Sequence, residues 1–358
     1  MKSLLFTLEF PPFKGGVANY YENLVKHWPQ NNEIYILNNN NNELISKYFY
    51  PKWFKSILRL YFFCLRNKIK HVIVGHILPL GTVTYFVSRL FKLDYSVILH
   101  GMDFFFAQKT KRKKFLTKII LNNAKKIICG NSYTAEQVNI FLEEENCKKI
   151  SVVNPGINAH QECDSLMVEK IKQKYNLKNK FVLLSIGRMV KRKGFDVVVS
   201  AFKKIKENVP NAVYVLVGEG PDKEHIKKLS QNHEDIIFLG LLSDAEKWAW
   251  YCASDVFIMP ARSIEGDMEG FGIVYLEANL AGKPVIAGDS GGVRDAVCPN
   301  FSGILVDPEK SEDVVGAVVR LAKDEALRVF LGQNGQKRAL KEFDWSIQIK
   351  KIHTLIND

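Results

Sequence analysis

The stretch from Met259 to Gly292 constrains the fold more tightly than any other. An apolar run, Val256-Phe-Ile-Met259, leads into a glycine-bearing loop. Gly270-Phe271-Gly272 then opens a run of helical habit from Ile273 to Ala281, and a second apolar run, Val285-Ile-Ala-Gly288, follows. Strand, glycine loop, helix and strand in that order make the repeating unit of a parallel sheet. The glycines let a ligand approach the backbone closely. The helix start, spanning Gly270, Phe271, Gly272, Ile273 and Val274, offers unpaired amides and a positive dipole end to an anion. Glu269 sits in the loop just before it, and Glu277 lies two turns further on, roughly 12 Å along the axis. Two carboxylates flanking an anion cradle suit an extended ligand with hydroxyls at both ends, the shape of a nucleotide sugar. The plain alternative is an ordinary loop and helix with two solvated glutamates.

The same alternation runs through the whole chain. With 358 residues, 47% hydrophobic and 25% charged, the sequence fits two globular domains rather than one. Strands are expected at residues 2–7, Glu33–Leu37, Val72–Val74, Ser96–Leu99, Ile127–Cys129 and from Ile150, closing a first domain at residue 159. The second, residues 160–342, begins with a polar helical stretch, His160–Lys180. Strands follow at Phe181–Ile186, from Val213 and at Ile236–Leu242, and an amphipathic helix is expected over Asp313–Leu331. Residues 343–358 read as a last helix, Asn31–Asn42 as a loop, and Ser132 or Thr134 as the cap of a helix. The class is α/β.

Three further places carry chemistry. After the buried strand Phe181–Ile186 comes Gly187-Arg-Met-Val-Lys-Arg-Lys-Gly-Phe195, a glycine, a basic loop, a glycine and a helix, which together form a cation-lined anion site. Lys191 and Arg192 read as its solvated members. Gly15-Gly16 follows the first strand and precedes a helix, without the full dinucleotide fingerprint. His100-Gly101 ends the strand Ser96–Leu99, where open α/β sheets place ligands.

The wording Met-Pro-Ala-Arg, Glu-Gly-Phe-Gly-Ile-Val-Tyr-Leu-Glu-Ala and Gly-x-Pro-Val-Ile-Ala-Gly-x-Ser-Gly-Gly resembles the glutamate-x7-glutamate motif of retaining glycosyltransferases of family 4. It is nearest to their phosphatidylinositol mannosyltransferase branch. The resemblance implies the GT-B fold: two Rossmann-like domains facing across a cleft, with the C-terminal helix returning to the first. It assigns Arg188 and Lys193 to the diphosphate of a nucleotide-sugar donor, Gly15 and Gly16 to a close backbone contact with it, and His100 to the transferred sugar. Leu242 falls near the base, Glu277 at the ribose and Glu269 at a sugar hydroxyl. The activity implied is transfer of a hexose with retention. Mannose from GDP-mannose is the first choice, a UDP-sugar such as UDP-glucose or UDP-N-acetylglucosamine the alternative. The acceptor would be a lipid-linked or cell-surface glycan. No Asp-x-Asp occurs, so the cations, rather than a metal or other cofactor, are expected to hold the diphosphate. A retaining glycosidase needs carboxyls about 5–5.5 Å apart, which the glutamate spacing exceeds. A non-catalytic binding module would leave the cation and glutamate sets without a purpose.

Charge is unevenly placed. Residues 1–160 hold 22 Lys and Arg against 10 Asp and Glu, whereas residues 161–358 hold 28 of each. Basic and aromatic residues alternate over Tyr50–Lys68 and again over Phe104–Phe115. Such a surface suits an anionic membrane better than nucleic acid, and no nucleic-acid partner is expected; a solvated basic face is the alternative. No secretory leader is visible, and the longest uncharged run, His71–Ser88, reads as strand and buried helix. The six cysteines lack any Cys-x-x-Cys pair and read as reduced. The expected location is therefore the cytoplasm, peripheral to the membrane.

Overall fold

The computed structural model describes every residue except 30–32, 41, 46–49, 144–146, 159–162 and 265. The chain divides into two compact units, Met1–Gly156 with Trp345–Asp358, and Ile157–Asp344. Each is built on a six-stranded parallel sheet.

In the first unit the order along the chain is β1 (Ser3–Phe6), α1 (Gly16–Lys26), β2 (Ile34–Leu37), α2 (Phe54–Asn67), β3 (His71–Val74), α3 (Thr82–Phe91) and β4 (Asp94–Leu99). There follow α4 (Met102–Phe106), α5 (Lys111–Asn123), β5 (Lys126–Cys129), α6 (Ser132–Phe141) and β6 (Ile150–Val152). The sheet order is β2-β1-β3-β4-β5-β6. Successive strand residues point to opposite faces. Leu4, Phe6, Val72 and Val74 thus enter one core with Leu60 and Val83. Leu5, Ile73, Ile98 and Ile128 enter the other with Tyr21, Leu24, Trp345, Ile349 and Ile352. Both faces are covered, which is why these strands read as unbroken apolar runs.

The second unit holds α7 (Ser165–Lys174), β7 (Phe181–Ile186), α8 (Phe195–Asn208), β8 (Ala212–Val217), α9 (Lys223–Ser230), β9 (Ile236–Leu239) and α10 (Asp244–Ala253). It continues with β10 (Val256–Met259), α11 (Ile273–Leu280), β11 (Val285–Gly288), α12 (Val293–Ala296), β12 (Gly303–Val306), α13 (Ser311–Lys323) and α14 (Glu325–Glu342). Its sheet runs β12-β11-β10-β7-β8-β9. The last helix, α15 (Trp345–Asn357), belongs to the first unit. Its passage beside the chain at Gly156 leaves no room for a side chain there, since a Cβ would lie 2.6 Å from the Trp345 ring.

Each sheet reverses direction once, between β1 and β3 and between β7 and β10. Loops leaving the carboxyl ends of these strand pairs diverge and leave a crevice for ligands.

Four expectations change. The helix read over Asp313–Leu331 is two, because Asp324 accepts from Leu327 N and caps a new start. Apolar residues continue past the break, at Leu327, Val329, Phe330 and Leu331, so composition alone does not mark it. The cap before α6 is Asn131, whose Oδ1 accepts from Thr134 N at 2.7 Å, rather than Ser132 or Thr134. The strand expected over Ile236–Leu242 stops at Leu239. Cys163 and Cys252 form a disulfide, with Cα atoms 6.1 Å apart, whereas all six cysteines were expected reduced. They lie 89 residues apart in sequence, and only the packing of α7 on α10 brings them together. Cys64, Cys129 and Cys298 are free. The asparagine-rich loop and the start of the His160 stretch fall partly outside the described residues. Among those described, no helix is long and apolar enough to cross a membrane.

Candidate functional site

The crevice of the second unit is filled by charge. The loop after β7 carries Arg188, Arg192 and Lys193, and the loop after β10 carries Asp267 and Glu269. Lys193 Nζ lies 2.5 Å and Arg192 Nη1 2.7 Å from the same oxygen, Oε2 of Glu269, while Arg192 Nε reaches Asp267 Oδ1 at 3.1 Å. Glu269 is 7% and Lys193 9% exposed. Burial alone raises the Glu269 pKa, but attraction to Lys193 and Arg192 outweighs it and holds the carboxyl below its ordinary range. Arg192, expected in solvent, is therefore part of the site. The two loops touch because Gly194, at φ 75°, has no Cβ; one would lie 2.2 Å from Pro260 O. Arg262 N donates to Arg192 O, and the Arg262 guanidinium pairs with Asp196 at 2.5 Å, tying the loop to the start of α8. Lys191 is exposed, as expected.

Gly270 follows Glu269, and Gly272, at φ 83°, starts α11 without a side-chain cap. Phe271 turns its ring into the core against Phe343, so only its backbone is left to a ligand. Ile273 and Val274 are half-buried on the first turn. Glu277 accepts from Tyr251 Oη at 2.8 Å and from Lys247 Nζ at 3.0 Å. These two partners stand one turn apart on α10. A pocket of about 450 Å³ opens beside them, lined by Gly187, Arg188, Gly218, Glu219, Leu242 and Lys247. Leu242, expected near a base, is in its wall, and Lys247 links the pocket to Glu277. Arg188 is exposed and has no ion-pair partner among the described residues. Lys247 and Tyr251 gave no motif signal, since nothing in sequence ties α10 to α11.

The crevice of the first unit holds histidine and tyrosine instead. His76, just past β3, faces Glu9 from the loop after β1, with Nε2 3.5 Å from Oε1. Leu8 N approaches His76 Nδ1 at 3.3 Å, while Nε2 is aimed at the carboxylate. The hydrogen bond to His76 keeps Glu9 below the usual carboxyl range. The Glu9 carboxylate lies close to Gly15, while no atom crowds Gly16. His100 meets Tyr21 Oη at 2.8 Å, and Tyr21 Oη also lies 2.6 Å from Gly75 O. A carbonyl only accepts, so the single hydroxyl proton goes to Gly75 and His100 Nε2–H donates to Tyr21. His100 Nδ1 is then an acceptor. Burial lowers the His100 pKa and keeps the ring neutral. Asp103 Oδ1 accepts from His100 N at 3.0 Å. Glu9, His76 and Tyr21 escaped sequence reading because single residues, two on separate loops and one on α1, form no motif.

Residues 167–338 match the family model described as glycosyl transferases group 1. The GDP-mannose-dependent alpha-(1-6)-phosphatidylinositol monomannoside mannosyltransferase of Mycobacterium tuberculosis is 33% identical over 204 residues, 55% of this chain and 53% of that protein. The match therefore spans about half the length of that relative. An uncharacterised glycosyltransferase of Methanocaldococcus jannaschii is 27% identical over 100% of this chain and 99% of its own. The crystal structure of HepE from Anabaena in complex with UDP superposes over 100% of both chains with a TM-score of 0.79 at 17% identity. The branch read from the motif wording is thus met among the relatives, and the two-sheet architecture is that of the GT-B fold. Residues 167–338, the part of the chain that matches the glycosyl transferases group 1 model, contain the charged crevice, Glu277 and the pocket.

Proposed function

We propose that the protein is a retaining glycosyltransferase that moves a hexose from a nucleotide sugar to a hydroxyl of a lipid-linked or cell-surface glycan. Mannose from GDP-mannose is the first choice of donor. The observation that carries the reading is the second unit's crevice, where Lys193 and Arg192 converge on buried Glu269, together with the pocket whose wall includes Lys247, the partner of Glu277. In this reading the base occupies the pocket by Leu242, and the ribose diol is held at Glu277. Arg188, Lys193 and the amides from Gly270 to Val274 take the diphosphate. Positive groups already fixed in place stabilise charge as it develops on the leaving diphosphate, at little cost in reorganisation. Glu269 orients Lys193 and takes a sugar hydroxyl, and in the first unit's crevice His100 offers Nδ1 as an acceptor. No metal or cofactor has a step, and the leaving phosphate takes the acceptor's proton. The protein would work peripherally on the cytoplasmic face of a membrane, through its basic first unit.

A thermal-shift panel of GDP, UDP, GDP-mannose, UDP-glucose and UDP-N-acetylglucosamine, each with EDTA and with magnesium, tests this. A ligand at 100 times its dissociation constant stabilises by about 2.7 kcal/mol. A GDP-selective shift that is the same in both media supports the reading. A UDP-selective shift replaces mannose by the UDP-sugar alternative, and a magnesium-dependent one overturns the metal-free diphosphate site. No shift with any nucleotide leaves a non-catalytic module.

A further inference from the structure

The pocket beside α10 is set by backbone. Gly218, at φ 132°, lies so close to the loop after β7 that a Cβ would collide with Gly187 O, and one on Gly220 would collide with Met189 O. Gly218 N also donates to Leu239 O and to Gly240 O, each at 3.2 Å, which ties the loop after β8 to the end of β9. The loop between Gly218 and Gly220 is therefore held from both sides, and the residue it presents is Glu219.

Glu219 lines the pocket, and among the described residues it is the one acidic side chain that does so. Its carboxylate leans over Gly240, where a Cβ would lie 3.3 Å from Oε1. The same oxygen pairs with Lys223 Nζ at 2.5 Å, which fixes the side chain, while Oε2 accepts no hydrogen bond among the described residues. Lys247, across the lining, is already held by Glu277 at 3.0 Å. Val217 and Leu242 supply apolar wall. A pocket of this kind offers a flat ligand apolar faces and one oriented acceptor at its edge.

Nucleotide bases differ along that edge. Guanine presents two donors side by side, N1–H and the N2 amino group. Uracil presents a single donor, N3–H, between two carbonyl oxygens. Adenine has an acceptor at N1. A carboxylate accepts and never donates. It takes both guanine donors, whereas uracil sets two lone-pair-bearing oxygens beside its one donor, and adenine meets it with a lone pair.

We propose that Glu219 is the residue that selects guanine, accepting from N1–H and the N2 amino group of a guanosine diphosphate donor. This rests on the reading of the pocket as the base site and deepens it by naming the group that reads the base. The diphosphate and ribose contacts are common to every donor, so the choice between GDP and UDP falls to this edge.

Titration calorimetry of GDP, inosine diphosphate and UDP tests the proposal on the full chain, on Glu219→Ala and on Glu219→Gln. The wild type is expected to bind GDP tightest. Inosine diphosphate, which lacks only the N2 amino group, is expected to bind about 5- to 10-fold more weakly. Glu219→Ala should weaken GDP about 10- to 100-fold, leave UDP within about threefold and remove the difference between GDP and inosine diphosphate. In Glu219→Gln the amide both donates and accepts, which suits the alternating edge of uracil, so the GDP-to-UDP ratio should fall further through a gain for UDP. Glu219 is exposed, so both variants keep the wild-type melting temperature. A wild type that binds UDP as tightly as GDP, equal binding of GDP and inosine diphosphate, or a Glu219→Ala variant that weakens GDP and UDP alike each overturns the proposal while the donor reading stands. Binding of no nucleotide overturns the donor reading and this proposal with it.

Discussion

Two parallel sheets of six strands, each with one reversal of strand order, carry crevices of opposite chemistry. In the second unit fixed charges meet: Lys193 and Arg192 share one oxygen of Glu269. In the first, imidazole rings are oriented by hydrogen bonds: Leu8 N meets Nδ1 of His76, and Tyr21 sets the proton of His100. The topology makes the place and leaves the chemistry to the loops. A crevice full of charge depends on mutual compensation, since a buried ion without its partner is costly. The buried ring of His100 depends instead on staying neutral.

Glu269→Ala should therefore show the largest effect, leaving buried Lys193 uncompensated. A loss of about 3–5 kcal/mol in urea unfolding is expected; a loss under about 0.5 kcal/mol would mean the pair contributes little and end the contrast. Acid separates the units next. Burial lowers His71 to about 3 from 6.5 and lowers His100 as well. The unfolded chain takes up these protons first, so the first unit loses stability as pH falls below about 6.5, by up to about 1.4 kcal/mol per pH unit for each histidine. Glu269 is depressed as a carboxylate, so its contribution is present above the unfolded value of 4.5 and is lost only as pH falls below it. Hydrogen exchange followed unit by unit against pH should show the first unit opening earlier; simultaneous opening would remove the distinction.

Glu277→Ala should weaken nucleotide binding roughly 10- to 100-fold, since Lys247 loses its carboxylate partner along with the ligand's contact. His100→Ala should instead cut turnover more than donor affinity, and Tyr21→Phe should follow it with a smaller loss. The reverse pattern in titration calorimetry and turnover would exchange the two roles. The smallest effect is expected from neutralising Lys111, Arg112, Lys113 and Lys114, which should weaken anionic-vesicle binding, more visibly at low salt. Unchanged binding would make that cluster a solvated face.

Sequence alone determined the βα alternation, the glycine loop before α11, Glu269, Glu277 and the basic loop after β7. Each is encoded by neighbours in the chain, where apolar runs mark buried strands and glycines mark close approach. The partners of those residues were not legible. Arg192 turns to Glu269 only because Gly194 lets one loop lie on another. Lys247 and Tyr251 reach Glu277 from α10, and Cys252 at the end of that helix bonds Cys163 across 89 residues. Tyr21 fixes the ring of His100 from 79 residues away. Such pairings depend on strand order, and parallel strands joined by helices bring together residues whose separation in sequence carries no trace of their contact.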